Sequence, residues 1–278
     1  MATNTELRRI ANRLRLDVVE TVHKTGDGHP GPCMSVAEII ALLYFEQMTL
    51  RPDEPRWPDR DRFILSKGHA CPILYAALAR KGYFPLEELP KLRTLEGMLQ
   101  GHPDSNKTPG IDTVSGSLGN GVAIGLGMAL GCRMQGIDNY VFVVVGDGEQ
   151  QEGVVWEAAM SAVKHKAGGL IVLSDGNNNQ SGGKVTDLTS LYPIAPKWEA
   201  FQWHVQSVDG HDVAEIYEAV CHALEHKGKP SMIVLNTVKG DGWSASAGKV
   251  GSHNRTVSPE ELKEALKEME AALKEVGK

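Results

Sequence analysis

Residues 140–177 read YVFVVVGDGEQQEGVVWEAAMSAVKHKAGGLIVLSDGN, and this stretch decides the fold. The apolar run at 140–145 predicts a buried strand, which ends at a turn whose two glycines let the backbone approach a ligand closely. Regularly spaced apolar residues within 153–167 predict an amphipathic helix, and the run at 170–173 predicts a second strand. A strand, turn, helix and strand in this order indicate a parallel sheet of the α/β class.

Asp147 and Asn177 stand thirty residues apart, and each follows one of these predicted strands. Ligands of α/β units collect at the carboxyl ends of the strands. A hard cation prefers oxygen ligands and takes some of them from bound phosphates. The pair therefore predicts a diphosphate and magnesium site, and an ordinary turn with a capping asparagine is the alternative.

Composition and charge narrow the function classes. The chain has 278 residues, of which 41% are hydrophobic, and we expect one domain over residues 1–278. Its 29 basic and 35 acidic residues give a net charge of −6 without a basic stripe, so nucleic acid is not an expected partner. Apolar runs are far shorter than the ~20 residues that span a bilayer, and the polar N-terminus is unlike a signal peptide. We expect a cytoplasmic protein without membrane contact.

The rest of the chain predicts further strands that alternate with helices. The expected helices lie at 6–24, from a capping box of Ser35 and Glu38 onward, at 70–81, at 213–227 and after Ser258, and the expected strands at 201–208 and 232–238. This alternation predicts a parallel sheet with helices on both faces. The loop at 101–120 is too long for a plain connection, and the glycine-rich segment 115–132 suggests close packing against a ligand or another backbone.

Residues 146–179 resemble the thiamine diphosphate signature, which opens with Gly-Asp-Gly and closes with Asn. Further segments are similar to transketolases in family order: GDGHPGP at 26–32, DRFILSKGHACPILYAAL at 61–78, GHPDSNKTPGIDTVSGSLGNG at 101–121 and VDGHD at 208–212. The resemblance implies the thiamine diphosphate-binding fold, with thiamine diphosphate and Mg²⁺ as cofactors, or Ca²⁺ or Mn²⁺ in place of Mg²⁺. It also implies transfer of a two-carbon ketol unit from a ketose to an aldose.

The resemblance assigns roles to particular residues. The metal ligands would be the side chains of Asp147 and Asn177 and the backbone carbonyl of Asn179. His29, His102 and His253 would be catalytic residues that face the substrate, since imidazoles exchange protons with hydroxyls near neutral pH. The residues expected to bind the cofactor are Lys67, His69, Gly116, Ser117, Leu118, Gly146, Asp147, Gly148, Glu149, Glu152, Asn177 and Lys239.

The resemblance covers the first of the three domains of a transketolase, so a separate partner is expected. That partner would be a C-terminal transketolase subunit with the pyrimidine-binding domain, in an A2B2 heterotetramer that acts on sugars or sugar phosphates. One alternative is an alpha-type subunit of a 2-oxo acid dehydrogenase or decarboxylase, and another is a non-catalytic protein that only binds the cofactor. The third alternative is a zinc hydrolase, against which the absence of an HExxH motif speaks.

Overall fold

A computed structural model of the chain describes residues 2–275. Its strands are β1 (Arg62–Leu65), β2 (Val141–Gly146), β3 (Leu170–Gly176), β4 (Asn179–Gln180), β5 (Gly183–Lys184), β6 (His204–Asp209) and β7 (Ser231–Asn236). Over the described residues, five of these form one parallel sheet in the order β1-β2-β3-β7-β6, and β4 pairs with β5 in a short antiparallel ladder. All five carboxyl ends therefore meet at one edge of the large sheet.

Helices supply the crossovers that parallel strands require. Their bounds are α1 (Asn4–Thr25), α2 (Pro30–Met34), α3 (Ala37–Leu42), α4 (Cys71–Lys81), α5 (Asn120–Met134), α6 (Gly153–Lys164), α7 (Val185–Leu188), α8 (Ala195–Ala200), α9 (Val213–Glu225) and α10 (Pro259–Glu275). Among helices of residues 2–275, none is long and apolar enough to cross a membrane.

Strands β1, β2, β3 and β7 are buried on both faces, to which successive side chains point in turn, whereas the edge strand β6 is half-buried to exposed. In β2, Phe142 and Val144 pack with α1, α3, α4 and α9, whereas Val141 and Val143 pack with α5, α6 and α8. The predicted fold class, an α/β parallel sheet with helices on both faces, is confirmed. The strand predicted at 201–208 begins only at His204, because the preceding residues form a turn in which Gln202 has a φ of 68°.

The capping box predicted at Ser35 and Glu38 is wrong. Helix α3 begins at Ala37, and the Ser35 hydroxyl instead donates to a carboxylate oxygen of Asp175 at 2.7 Å. Glu38 is turned away to a buried ion pair with Arg15, at 2.6 Å. Both side chains of the predicted capping box therefore bind residues distant in sequence instead of the backbone N–H groups at the helix start.

The glycine-rich segment forms helix α5, and its glycines divide into two kinds. A Cβ on Gly121 would lie 2.4 Å from Cβ of Ser66, and one on Gly125 would lie 2.6 Å from a methyl carbon of Val143. Gly127 and Gly131 have no described atom within 4 Å of such a Cβ. The predicted close approach of another backbone is confirmed at Gly121, where a Cβ would lie 3.1 Å from the Cα of Ser66, whereas Gly125 packs against side chains. Gly127 and Gly131 lie on an open face of the helix among the described residues.

Candidate functional site

A cavity of about 290 Å³ lies at the carboxyl edge of the sheet. Lys67, Asp147, Asn177 and Lys239 line it, and each follows a different strand of the sheet, from β1, β2, β3 and β7. Residues far apart in sequence meet there because parallel strands all end at this edge. The sequence-based expectation of a site after β2 and β3 agrees with the location of this cavity.

Asp147 is held by hydrogen bonds to both carboxylate oxygens. Its Oδ1 accepts from the backbone N–H of Gly148 at 2.7 Å, and its Oδ2 accepts from the hydroxyl of Tyr192 at 2.8 Å. Burial raises the pKa of Asp147 to about 6, and the neighbouring charge of Asp175 adds to the rise. A positive charge close to this carboxylate would relieve both effects, which is the electrostatic setting of a cation ligand.

The turn after β3 presents the other expected ligands. Asn177 is oriented at both ends of its amide: Nδ2 donates to Asp175 at 2.9 Å, and Oδ1 accepts from the N–H of Asn179 at 2.9 Å. Asn178 adopts a left-handed conformation with a φ of 57°, which asparagine tolerates better than most residues. The side-chain oxygen of Asn179 is buried without a hydrogen-bond partner among the described residues.

Asp175 is a buried residue of the site that was not among the predicted site residues. Its side chain is 1% exposed and accepts hydrogen bonds from Ser35, from Lys67 at 2.6 Å, from Asn177 and from Thr237. Burial acts to raise its pKa, but the charge and hydrogen bond of Lys67 and the two hydroxyls outweigh burial, so the pKa is lowered. The signal that could have found it is an ionisable residue inside an otherwise apolar strand.

The two lysines of the site differ in their bonding. The ammonium group of Lys67 donates hydrogen bonds to Asp175 and to the carbonyl of Pro32, the latter at 2.7 Å. It therefore orients a carboxylate as well as lining the cavity. Lys239 donates to the carbonyl oxygen of Asn179 at 2.9 Å and contacts Nδ1 of His253 at 2.8 Å. Burial lowers the pKa of Lys239 to about 8. Its charge has no carboxylate within hydrogen-bonding distance among residues 2–275 and is available to an anion.

Three of the four predicted site histidines form one cluster. The ring centres of His29, His69 and His253 lie 4.9 to 5.5 Å from one another. Burial lowers the pKa of His29 to about 4, of His69 to about 2 and of His253 to about 3, and neighbouring positive charges contribute in each case. The rings are thus neutral at pH 7, and each can donate from one nitrogen and accept at the other.

His102 lies in the loop before α5 rather than in the cluster. A Cβ on Gly116 would lie 3.1 Å from Cδ2 of its ring, so the glycine permits this approach. Burial, followed by the charge of Arg93, lowers the pKa of His102, and the same arginine acts on His29. The structure therefore puts His102 in the electrostatic environment of the cluster but outside the residues that line the cavity.

Some of the remaining predicted cofactor residues line the cavity, and two of them do not. Leu118, Gly146, Gly148 and Glu152 line it directly. Ser117 and Gly116 belong to the exposed segment that leads into α5, and the Ser117 hydroxyl accepts from Asn120 at 2.8 Å.

Glu149 is buried, and protein groups occupy both of its carboxylate oxygens. They accept hydrogen bonds from the Ser66 hydroxyl, from the N–H of Gly119 at 2.7 Å and from the N–H of Gly146 at 3.0 Å. Glu149 therefore holds the ends of β1 and β2 and the start of α5 together, and it also lines the cavity.

The donors present suit a diphosphate bound with a hard cation. Asp147, Asn177 and Asn179 offer a carboxylate, an amide oxygen and a carbonyl, which is the oxygen chemistry that Mg²⁺ and Ca²⁺ prefer. Lys239 brings a buried positive charge beside them. The unpaired oxygen of Asn179 adds an acceptor that a bound cation or hydroxyl would satisfy.

One other group within residues 2–275 has the spacing of metal ligands, namely Glu38, His211 and Asp241. Arg15 already supplies the cation there, since its guanidinium lies 2.6 Å from Glu38 and 3.0 Å from Asp241. The group is an ion-pair network, and it gives the zinc hydrolase alternative no support.

Comparison with known proteins gives consistent results. The family described as transketolase, thiamine diphosphate binding domain, matches residues 7–272. The chain is 47% identical to the 6-deoxy-6-sulfo-D-fructose transketolase subunit SqwG of Clostridium sp., over 95% of this chain and 96% of that protein. It is 34% identical to an apulose-4-phosphate transketolase subunit of Actinobacillus succinogenes, again over 95% and 96%.

Solved structures give the same relationship at the level of the fold. The crystal structure of transketolase from Campylobacter jejuni superposes with a TM-score of 0.90 at 29% identity. The match covers 99% of this chain and 46% of that one, so the chain spans less than half the length of this solved relative.

Proposed function

The chain belongs to the transketolase family, whose thiamine diphosphate-binding domain it matches along almost its whole length, and we propose that it is the cofactor-binding subunit of a two-chain transketolase. It would transfer a two-carbon ketol unit from a ketose to an aldose, together with a C-terminal subunit. The observation that carries the proposal is one cavity in which the Asp147 and Asn177 turns adjoin His69 and His253, whose rings are in contact with the ring of His29 behind them.

The cation would be Mg²⁺, or Ca²⁺ or Mn²⁺ in its place. Asp147 and Asn177 would hold it by their side chains and Asn179 by its carbonyl, with diphosphate oxygens completing the ligand set. Thiamine diphosphate supplies a nucleophilic carbon and an electron sink for breaking the bond next to a ketose carbonyl. Lys239 would neutralise the diphosphate and the neutral ring of His69 would orient it by a hydrogen bond, while Gly146 and Gly148 leave the backbone open to it.

The other histidines would handle substrate protons. Nδ1 of His29 is buried without a partner among the described residues, so it is available to a sugar hydroxyl. Nδ1 of His253 accepts a hydrogen bond from the ammonium group of Lys239. The proton of the neutral ring is therefore on Nε2, which is a hydrogen-bond donor. His102, on the loop before α5, would join them once a substrate fills the site.

An uncovered apolar face supports the expectation of a partner. Helices α5 and α6 pack side by side, and Met134, Met160 and Leu118 on or beside them are 87%, 56% and 39% exposed. Exposed apolar patches on soluble proteins mark interaction sites. We propose that the C-terminal subunit, which completes the site, covers this face in an A2B2 assembly in the cytoplasm.

The names of two relatives bear on the substrate. Sulfofructose and apulose phosphate are both ketoses with an anionic substituent, a sulfonate in one and a phosphate in the other. We extend the proposal to ketose donors of this class. The assembled enzyme should use an anionic ketose in preference to its uncharged counterpart, and equal kcat/KM for the two would contradict this extension.

Reconstitution tests the central proposal. The chain would be purified with and without a C-terminal transketolase subunit from the same organism, and ketol transfer measured with thiamine diphosphate and Mg²⁺. We expect turnover only from the mixture. Transfer by the chain shown free of any partner would overturn the two-chain arrangement.

The same mixture separates the remaining alternatives. Cofactor binding without turnover would favour a non-catalytic role, and oxidative decarboxylation of a 2-oxo acid would favour a dehydrogenase subunit.

A further inference from the structure

Tyr192 lies between α7 and α8, outside the motifs at 26–32, 61–78, 101–121, 146–179 and 208–212, and its side chain reaches the candidate cation site. Its hydroxyl oxygen is 2.8 Å from Oδ2 of Asp147 and 2.9 Å from the backbone nitrogen of Asn178. One phenol thus contacts the turn after β2 and the turn after β3 at the same time.

The directions of these two hydrogen bonds are fixed by chemistry. The Asn178 N–H can only donate, so the phenol oxygen accepts there. The hydroxyl can donate one hydrogen bond, and it donates this bond to the carboxylate of Asp147. Both bonds are used simultaneously, and the phenol joins the two turns as a rigid bridge.

The turn that Tyr192 supports needs such support. Asn178 is left-handed, and besides Tyr192 it is held by the N–H of Val185, which donates to its carbonyl at 3.0 Å, and by Thr186, whose N–H donates to its side-chain oxygen at 3.0 Å. Backbone in a sparsely populated conformation persists where its surroundings over-determine it. Asn177 and Asn179, on either side, present their oxygens from this turn.

The ring of Tyr192 is itself anchored. It packs against the apolar cluster that covers the α5 and α6 face of the sheet. A side chain with two rotatable bonds and a packed ring fixes the position of its hydroxyl at low entropic cost.

We propose that Tyr192 is a positioning residue of the cation–diphosphate site, which orients the Asp147 carboxylate and holds the Asn177–Asn179 turn in ligating position. This inference rests on the proposed function. Hydrogen-bonding partners of metal ligands fix ligand orientation, and losing one typically costs ~10–100-fold in metal affinity. Tyr192→Phe removes only the hydroxyl and keeps the packed ring.

The test is Mn²⁺ binding, followed by electron paramagnetic resonance in saturating thiamine diphosphate, on the chain assembled with its C-terminal partner. Tyr140→Phe is the matched control, because its hydroxyl donates at 2.7 Å to the carbonyl of Leu224, beside the amino end of β2 and away from the site. We expect Tyr192→Phe to weaken Mn²⁺ binding ~10–100-fold and Tyr140→Phe to change it less than about twofold. Excess metal should restore turnover in Tyr192→Phe.

Two results would overturn the inference while leaving the proposed function intact. One is wild-type Mn²⁺ affinity in Tyr192→Phe, and the other is an equal loss of affinity in both variants, which would mark a general loss of structure. Failure of the wild-type assembly to bind Mn²⁺ with the cofactor would overturn the proposed function, and this inference with it.

Discussion

The ammonium nitrogen of Lys239 lies 2.8 Å from Nδ1 of His253. A protonated lysine can only donate, so this contact fixes the proton of a neutral His253 on Nε2. Burial and the nearby lysine both lower the pKa of His253, to about 3. The pair therefore combines the positive charge of Lys239, beside the candidate diphosphate site, with Nε2 of His253, a neutral hydrogen-bond donor on the side of the ring away from Lys239.

Replacing Lys239 by Met should weaken thiamine diphosphate binding. A hydrogen bond to a charged group contributes ~1.5–3 kcal/mol, which corresponds to ~10–100-fold in affinity. The pKa of His253 should rise in this variant, because a neighbouring positive charge is lost, and NMR titration of the ring would follow it. Lys249→Met, at an exposed position in the same loop, is the control, and an equal loss of affinity there would contradict the role of Lys239.

Asp147→Ala should abolish metal-dependent binding of thiamine diphosphate by the assembled enzyme. The substitution removes the anionic oxygen from a site where a cation must be held beside a diphosphate. Calorimetric titration with and without Mg²⁺ measures the effect. Asp138→Ala changes an 84% exposed carboxylate just before β2 and should bind as the wild type does. Unchanged affinity in Asp147→Ala would refute the metal assignment.

His102→Ala and His69→Ala should fail in different ways. If His102 moves a substrate proton, its loss should lower kcat by ~10²-fold or more with little change in cofactor affinity. His69→Ala should weaken thiamine diphosphate binding first, because its expected partner is the phosphate. Steady-state kinetics and cofactor titration separate the two, with the exposed His165→Ala as control. Lower thermal stability with normal kcat per folded enzyme would indicate packing roles instead.

Glu38→Gln should destabilise the fold by ~3–5 kcal/mol, because it removes the buried anionic partner of Arg15 and leaves only the partly exposed Asp241 beside the guanidinium. Burial opposes ionisation of Glu38, but Arg15 and His211 outweigh it and lower its pKa to about 2. A carboxyl whose pKa is lowered on folding stabilises the protein above its unfolded pKa of ~4.5, and that contribution is lost as the pH falls toward 2. Because Glu38 also raises the pKa of His211, the difference in unfolding free energy should grow as the pH falls from 7 to about 5 and shrink as the pH falls further.

Denaturant unfolding at several pH values checks this prediction. Glu54→Gln is the control, because the Arg51–Glu54 pair is about half exposed and such pairs contribute ~1 kcal/mol or less. A difference between Glu38→Gln and wild type that grows as the pH falls from 5 to 3 would contradict the direction argued for Glu38.

Local sequence was sufficient for four strands of the sheet and for the location of the site, whereas β1, which precedes Lys67, was not predicted. The runs at 140–145 and 170–173 are apolar enough to be strands, and the turns after them lie where parallel strands end, so the meeting of Asp147 and Asn177 followed. The helix predicted after Ser258 also formed, and Ser258 and Glu261 cap its start with reciprocal hydrogen bonds of 3.2 and 3.0 Å.

The sequence could not predict which side chains form hydrogen bonds with distant residues instead of with their sequence neighbours. Ser35 has the local signal of a helix cap, but Asp175, 140 residues away, takes its hydroxyl. Tyr192 carries no motif at all, and only the folded chain brings its hydroxyl to Asp147. The role of Glu149 as a link between three segments was likewise invisible, because its partners are two backbone N–H groups and one hydroxyl.

The cavity is lined by residues from Pro32 to His253, and this has a consequence for synthesis of the chain. A ribosome makes the chain from its N-terminus, so Asp147 and Asn177 are exposed long before Lys239 and His253 exist. Parallel strands with distant partners pair slowly and leave apolar surface uncovered meanwhile. Cofactor capture can therefore assist only the last stage of folding, and the early chain must rely on chaperones or on its own helices to avoid aggregation.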